Sequence, residues 1–318
     1  MGDRRSTRLP PALDLEGFGY WFLQLCEACV KAYDGAMPAN DRPRQWTPSG
    51  IAPMVVHSAE TTQKDYARWY EESTVDLARL PQLELMREVS EAAWIEPLLA
   101  SGSSEVRAIV PMGFEAYARI FFPFVGEDVV VDGQAVGTEH VRWSEVARLN
   151  GRITHAEMEQ ETIAHRDDGQ SEYNSSYASL PTEDIATLAA ILVRQTSTPD
   201  KSWYLVCDGY GDHLNRMAVE NVARIEHRAS ARRYWLLRGP CTAYAQLPHD
   251  PDYWWPDDRT WCFVSHEDLH WAYVAASTGC IAEIVACPDL EALETRPGNL
   301  DRPGMDRIND PEGAVPRR

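Results

Sequence analysis

No apolar run in this chain of 318 residues approaches the roughly 20 needed to cross a bilayer. The first residues, MGDRRSTRLPPALDLEGF, are basic but have no apolar stretch behind them, so an export leader is not expected. A soluble cytoplasmic protein, with no membrane partner, is the resulting expectation. Met-Gly-Asp-Arg-Arg-Ser also fits a myristoylation pattern, but that reading has no weight outside a eukaryotic setting. Positive charge is scarce. Lys and Arg total 30 against 49 Asp and Glu, a net charge of −19. Such a surface repels phosphate backbones and anionic headgroups, which disfavours nucleic acid as a partner unless a local basic patch exists. There is no G-x-S-x-G, no phosphate loop, no dinucleotide fingerprint and no readable Ser-His-Asp or Cys-His pairing. The G-x-G at 209–211 is too short to count as a phosphate loop.

Cysteines are few and irregular. Seven are present, an odd number, with Cys26 and Cys29 forming a lone C-x-x-C inside a helical pattern. A zinc ribbon needs a second such pair and a redox motif needs a strand before it, so reduced core thiols are expected. Aromatic residues, by contrast, are plentiful, with 11 Trp, 13 Tyr and 7 Phe. Disordered chains are poor in these, so most of the chain is expected to fold around a sizeable core.

The pattern divides into segments. Residues 1–12 read as a polar arm. Residues 13–104 read as helical: Leu15 to Tyr33 at spacings of three and four, a helix capped by Ser58, and another from Gln82 to about Trp94 behind Pro81. Residues 34–53, rich in proline, read as an irregular connection. Residues 105–295 mix strands with occasional helices. Strands are expected at 106–110, 117–122, 203–207, 234–237, 261–264 and 271–275, with a hairpin or, equally, a loop insert through DVVVDGQAV. Helices are expected from Ser144 to Gly151, from Thr154 to Thr162, from Pro181 through Val193, and from Thr278 to Ala286. Residues 165–180 form a polar loop, the charged stretch 212–231 is compatible with a helix, and 296–318 read as a disordered tail. The fold class is α+β: a helical N-terminal third followed by a mainly antiparallel sheet with flanking helices. Whether the helical third and the core region make one domain or two stays open.

Three features bear on function. First, His266-Glu267-Asp268-Leu269-His270 fits H-E-x-x-H, which on a helix holds zinc between two imidazoles with the glutamate as general base. The flanks argue otherwise: Trp261, Phe263 and Ser265, then Trp271, Tyr273 and Ala275, alternate with a period of two. Asp268 is also a costly residue for such a helix. A zinc site would need a further ligand, for which Glu283 and Glu291 are available. A polar turn between strands is favoured, with no cofactor expected and zinc the one alternative.

Second, DGYGD and WWPDDR place Asp208, Asp212, Asp257 and Asp258 on loops beside tryptophans. Converging, they would suit metal-assisted hydrolysis or sugar binding. Turn chemistry is the plainer explanation. Third, Arg224, Arg228 and Arg232 are four apart, with Arg216, Arg233 and Arg238 near them, giving one basic helix face in an acidic chain. That face suits an acidic protein or a small anionic ligand; internal pairing and solvation are the plainer explanation.

The segments PMGFEAYARIFFPF (111–124), WYLVCDGYGD (203–212), RRYWLLRGP (232–240) and WWPDDRTWCFV (254–264) together resemble a family of uncharacterised actinobacterial proteins with the same segments in the same order. The resemblance covers roughly residues 105–295. It implies no activity and supplies no catalytic residues, and relatives in that pattern do not keep both histidines of HEDLH. The sequence therefore favours a soluble binding or regulatory protein without catalysis. A metal-dependent hydrolase using HEDLH or the two aspartate loops is the alternative. A structural role in assembly, with a stable oligomer and no small ligand, is a third.

Overall fold

The computed structural model describes residues 80–100, 102–131, 134–166, 173, 176, 179–207, 223–227, 230–247, 250–266 and 269–313. All of them belong to one compact unit, His57–Arg318. The helices expected between residues 14 and 79, and Cys26 and Cys29, lie outside the described residues.

The centre of the fold is a nine-stranded sheet. Its strands are β1 (Glu84–Leu85), β2 (Ala116–Phe121), β5 (Ser202–Cys207), β6 (Ala223–His227), β7 (Ser230–Gly239), β8 (Tyr253–Pro256), β9 (Cys262–Val264), β10 (Trp271–Ala276) and β11 (Ala292–Thr295). The order is β1-β7-β5-β8-β9-β10-β2-β11, and β6 also pairs with β7. Every pairing is antiparallel. Two further strands, β3 (Phe124–Val131) and β4 (Gln134–Val141), form a separate antiparallel arm, the hairpin of the two readings of DVVVDGQAV. Among the described residues four α-helices accompany the sheet: α1 (Trp143–Leu149), α2 (Gln160–Ala164), α3 (Thr182–Arg194) and α4 (Thr278–Ala286).

The two-residue repeat of the strands sorts their side chains onto two buried faces. Ala118, Ile120, Tyr204, Val206, Trp235, Leu237, Trp254, Phe263 and Val274 point toward α3 and α4, which contribute Leu188, Leu192, Ile281 and Ile284. Tyr117, Trp203, Leu205, Tyr234, Trp255, Val264 and Tyr273 point the other way, under Ile95, Val106, Ile109 and Val110. Beside that layer Phe121 packs with Phe124, Trp143, Met158 and Ile163, joining the base of the arm to α1 and α2. Coverage on both faces explains why the strands read as nearly continuous apolar runs.

Several expected elements take another form. Gln82 to Trp94 is not a helix: β1 pairs with Arg238 and Leu237 of β7, and a 3-10 turn follows at Ser90–Ala92. Its apolar residues are spent on the sheet, not on a helical stripe. Residues 106–110 hold a 3-10 turn, Val106–Ala108, instead of a strand; the Val106 and Arg107 amides donate to Asn299 and Pro297 carbonyls. Ser144 does not cap α1 with its side chain. The Glu291 carboxylate does so from a distant segment, accepting from the Trp143 and Ser144 amides at 2.6 and 2.7 Å. The helix expected from Thr154 is shorter and later, at α2. Within 212–231 the described residues 223–227 are a strand, not a helix.

The largest difference is at 296–318. Residues 296–313 lie against the domain and are ordered, with Asp301, Met305, Asp306 and Asp310 buried. The composition suggested a disordered tail because it lacks large apolar groups. What holds the segment is hydrogen bonding by buried carboxylates, which composition does not reveal.

One carboxyl links the strand layer to a helix. Asp250 accepts from the Leu180 amide just ahead of α3 at 2.9 Å. Burial raises it to about 6, against the stabilising Leu180 hydrogen bond. A raised carboxyl binds its proton more tightly in the folded state, so ionisation destabilises the fold progressively as pH rises from about 4 through 6. Asp250→Asn keeps an acceptor for Leu180 and removes the charge. The variant is expected to be more stable than the parent above pH 7, by at most about 3 kcal/mol. Urea titrations at pH 4 and pH 8 check this: equal gains at both would show that ionisation is not the cause.

Candidate functional site

Antiparallel pairing fixes which loops share an end of the sheet. Tyr234 stands opposite Cys207, Leu205 opposite Tyr253, Tyr253 opposite Val264, and Trp271 opposite Phe121. The ends of β2, β5 and β9 and the starts of β8 and β10 therefore share one end. β7 runs past it, since Ser230 to Arg233 precede the residue paired with Cys207. There β7 pairs with β6 alone, in the register Arg224 opposite Arg233, Ile225 opposite Arg232, and His227 opposite Ser230.

This register corrects the expected basic face. Arg224 and Arg232 lie on two different strands of a hairpin, so a spacing of four is irrelevant. Arg228 lies outside the described residues. The arginines nevertheless stay together, because a hairpin returns Arg232 and Arg233 beside Arg224. Arg233 is exposed and Arg232 half-buried. Arg232 makes itself felt on Tyr234: burial pushes that phenol far up, Tyr253 and Asp252 push the same way, and Arg232 opposes them.

Asp252 is a site residue that the sequence did not single out. It is 1% exposed. Its carboxylate accepts from the Cys207 amide at 2.8 Å, its own amide donates to Leu205, and its carbonyl accepts from Ser265. It thereby ties together β5, β8 and the residue following β9 at the end from which the basic hairpin projects. In the sequence it is one Asp of the run HDPDYWW, with nothing local to mark it as buried.

Of the two aspartate loops, WWPDDR is among the described residues, while Asp208 and Asp212 lie outside them. Asp257 follows Pro256, which stands opposite Ser202 at the start of β5. Asp257 holds Lys201 Nζ at 2.8 Å and accepts from Trp203 Nε1 at 3.0 Å, and the Lys201 contact first of all lowers its pKa. Asp258 accepts from Thr196 Oγ1, from the Ser197 amide and hydroxyl, and from Thr260. Burial works against its charge, but these hydrogen bonds prevail and hold it at about 2. Its oxygens are committed to turn geometry.

HEDLH joins two antiparallel strands, with Val264 opposite Tyr273. The two-residue period of its flanks is thus the period of β9 and β10. The Leu269 amide returns to the His266 carbonyl at 2.8 Å, and the His270 carbonyl accepts from Phe122 at 3.0 Å. Glu267 lies outside the described residues. His266 and His270 are both half-buried and occupy a connection, where a spacing of four does not align side chains as it does on a helix. Glu291 caps α1, and Glu283 pairs with Arg194 at 2.5 Å, so both proposed further ligands have other work. Among the described residues no three His, Cys, Asp or Glu side chains gather as a metal-holding group.

A second polar cluster lies under the 296–313 segment. Arg119, 1% exposed, donates to the carbonyls of Ala156 and Met158 at 2.6 and 2.9 Å. Its guanidinium lies 3.8 Å from the Trp271 ring centre and 4.7 Å from that of Phe121. Burial lowers its pKa to about 10, opposed by Tyr273, Glu159, Asp306 and Glu157. Asp306 receives His155 Nε2 at 2.8 Å, the Thr162 hydroxyl, and both the amide and the side chain of Asn309. Asp301 accepts from the Tyr273 hydroxyl at 2.9 Å. Each of these contacts joins one part of the fold to another, and together they act as a staple.

The architecture is that of an α+β domain with a large antiparallel sheet, buried on both faces, and a basic hairpin at one end. No helix among the described residues is long and apolar enough to cross a membrane. Compared with family models, curated proteins and solved structures, the chain matches none.

Proposed function

We propose that this protein works by binding an acidic partner on the β6–β7 hairpin, without chemistry of its own. The observation that carries the reading is the hairpin's register, which sets Arg224 opposite Arg233 and brings Arg232 beside them. From residue 223 to 233 there are four arginines, Arg224, Arg228, Arg232 and Arg233, against one acidic residue, Glu226, in a chain of net charge −19. The hairpin also runs past the end of β5. A concentrated charge of one sign favours fast, oriented encounter with its complement. The remaining surface charge favours an acidic protein segment over nucleic acid.

The reading extends to a cytoplasmic setting, in which the described cysteines, Cys207, Cys241, Cys262, Cys280 and Cys287, remain thiols. It also retains the resemblance to the actinobacterial family. Its four segments contain β2, β9 and most of β5, β7 and β8, and β7, β5, β8 and β9 lie side by side in the sheet, with β10 between β9 and β2.

The test uses a fluorescent peptide of ten aspartates and its anisotropy at low ionic strength. The protein is expected to bind it, and the double substitution Arg232→Glu, Arg233→Glu to weaken binding at least ~10-fold, with 0.5 M salt doing the same to the parent. No binding by the parent, or equal binding by the variant, refutes the reading.

A further inference from the structure

Two hairpins leave the same end of the sheet, and their charges are opposite. The basic one is β6–β7. The other is the β3–β4 arm, whose base follows Phe121, the residue paired with Trp271 at the end where HEDLH joins β9 to β10. From residue 124 to 141 the arm carries Glu127, Asp128, Asp132 and Glu139, and no Lys or Arg. Glu127 and Glu139 are exposed. Apart from one bridge between Phe124 and Ser176, β3 and β4 pair only with each other among the described strands. An isolated two-stranded ribbon is marginal by itself in water and gains from being laid against another surface. The sequence between its acidic residues, Val129-Val130-Val131 and Ala135-Val136, is the most apolar stretch of the arm.

The distance between the hairpins decides what can use them together. Five strand-to-strand steps separate β7 from β2 in the sheet order, roughly 24 Å at the usual spacing. A two-fold axis passing between them would lay the arm of each molecule on the basic hairpin of the other. Such an interface is isologous: the same contact is made twice, and the assembly closes as a dimer.

We propose that the acidic partner of the β6–β7 hairpin is the β3–β4 arm of a second copy of this chain, exchanged reciprocally in a two-fold dimer. The inference rests on the reading of that hairpin as an acidic-partner face. It names the occupant through charge complementarity, a shared end of the sheet, and an arm without a partner strand beyond its own hairpin among the described residues.

Sedimentation velocity of the full chain at tens of micromolar tests it. A dimer is expected at 50 mM salt, with dissociation favoured at 0.5 M. Arg232→Glu with Arg233→Glu makes both hairpins of one molecule acidic. Glu127→Arg with Asp128→Arg and Glu139→Arg makes both basic. Each variant alone is expected to be monomeric, its dissociation constant raised at least ~10-fold. An equimolar mixture of the two is expected to give a heterodimer, because both reciprocal contacts then join opposite charges. Thermal unfolding of each variant near the parent's midpoint shows that folding is intact.

A monomeric parent at low salt, a dimer unaffected by either set of substitutions, or no heterodimer in the mixture each overturns the inference. The neutral variant Glu127→Gln with Glu139→Gln keeps the parent hairpin and adds no positive charge to the arm, so its binding of the ten-aspartate peptide reports on the β6–β7 hairpin. Peptide binding with no dimer sinks the arm as occupant and leaves the hairpin reading standing. Loss of peptide binding sinks both.

Discussion

Asp306→Ala is expected to destabilise the domain by on the order of 3–5 kcal/mol, among the largest effects of any single polar substitution in this chain. The carboxylate is completely buried and is the common acceptor for His155, Thr162 and Asn309. Removing it strands several donors at once, and each unsatisfied buried group costs roughly 1–3 kcal/mol. The loss also frees the 296–313 segment, whose Gly304 and Asp306 amides are held by Glu159 and whose Leu300 amide is held by Glu157. The pH dependence is specific. Burial opposes the charge of Asp306, but the hydrogen bonds from His155, Thr162 and Asn309 prevail and hold its pKa far below the ordinary 3.8. A depressed carboxyl contributes stability that is fully present above the unfolded value and is lost as pH falls toward the folded one. The gap between parent and variant in urea titrations should therefore be constant from pH 5 to 8 and shrink below about pH 4. A gap independent of pH down to 3 would show that the carboxylate's charge contributes little. Protease sensitivity of 296–313 in the variant provides a second reading.

Arg119→Ala should cost a similar amount, on the order of 3–5 kcal/mol, for two combined reasons. It empties the space enclosed by Trp271, Phe121 and Trp143, and it removes the positive charge that faces Glu159, Asp306 and Glu157. The decisive comparison is with Arg119→Lys and Arg119→Met. Lysine keeps the charge but lacks the planar fork that reaches the Ala156 and Met158 carbonyls while lying over Trp271. Methionine fills the space without charge. If packing over the indole dominates, methionine is the milder change. If neutralising the carboxylates dominates, lysine is. The aromatic contacts are close and the guanidinium Nε and Nη2 have no hydrogen-bond partner among the described residues, so methionine is expected to retain more stability. Thermal unfolding and tryptophan fluorescence of the three variants separate these outcomes; lysine as the most stable would reverse the assignment.

The strands were legible because their signal is local. Trp203 to Cys207, Trp271 to Ala275 and the DVVVDGQAV hairpin announce themselves by β-branched and aromatic content, and α3 and α4 by spacing and their starting residues. Gln82 to Trp94 misled because apolar residues at helical spacing fit equally well on a 3-10 turn over a sheet. The arginines at 224, 228 and 232 misled for the opposite reason: a spacing of four looks helical, but residues 223–227 pair antiparallel with residues 230–234. Asp252 and Asp306 carried no warning. A buried aspartate and a solvated one are the same letter, and only their distant partners tell them apart.

By itself the sequence determined the α+β class with a mainly antiparallel sheet, most strands, two main helices, the acidic balance and the strand-to-strand character of HEDLH, all of which depend on neighbours within a few residues. Tertiary structure alone decided that Asp252 is buried where it joins β5, β8 and the residue after β9, that Glu291 caps a helix far away in sequence, and that residues 296–313 fold onto the domain. It also put hairpins of opposite charge at one end of the sheet. The physical reason is one of range: backbone preference and periodicity act between adjacent residues, whereas strand register and buried hydrogen bonds join residues more than a hundred positions apart.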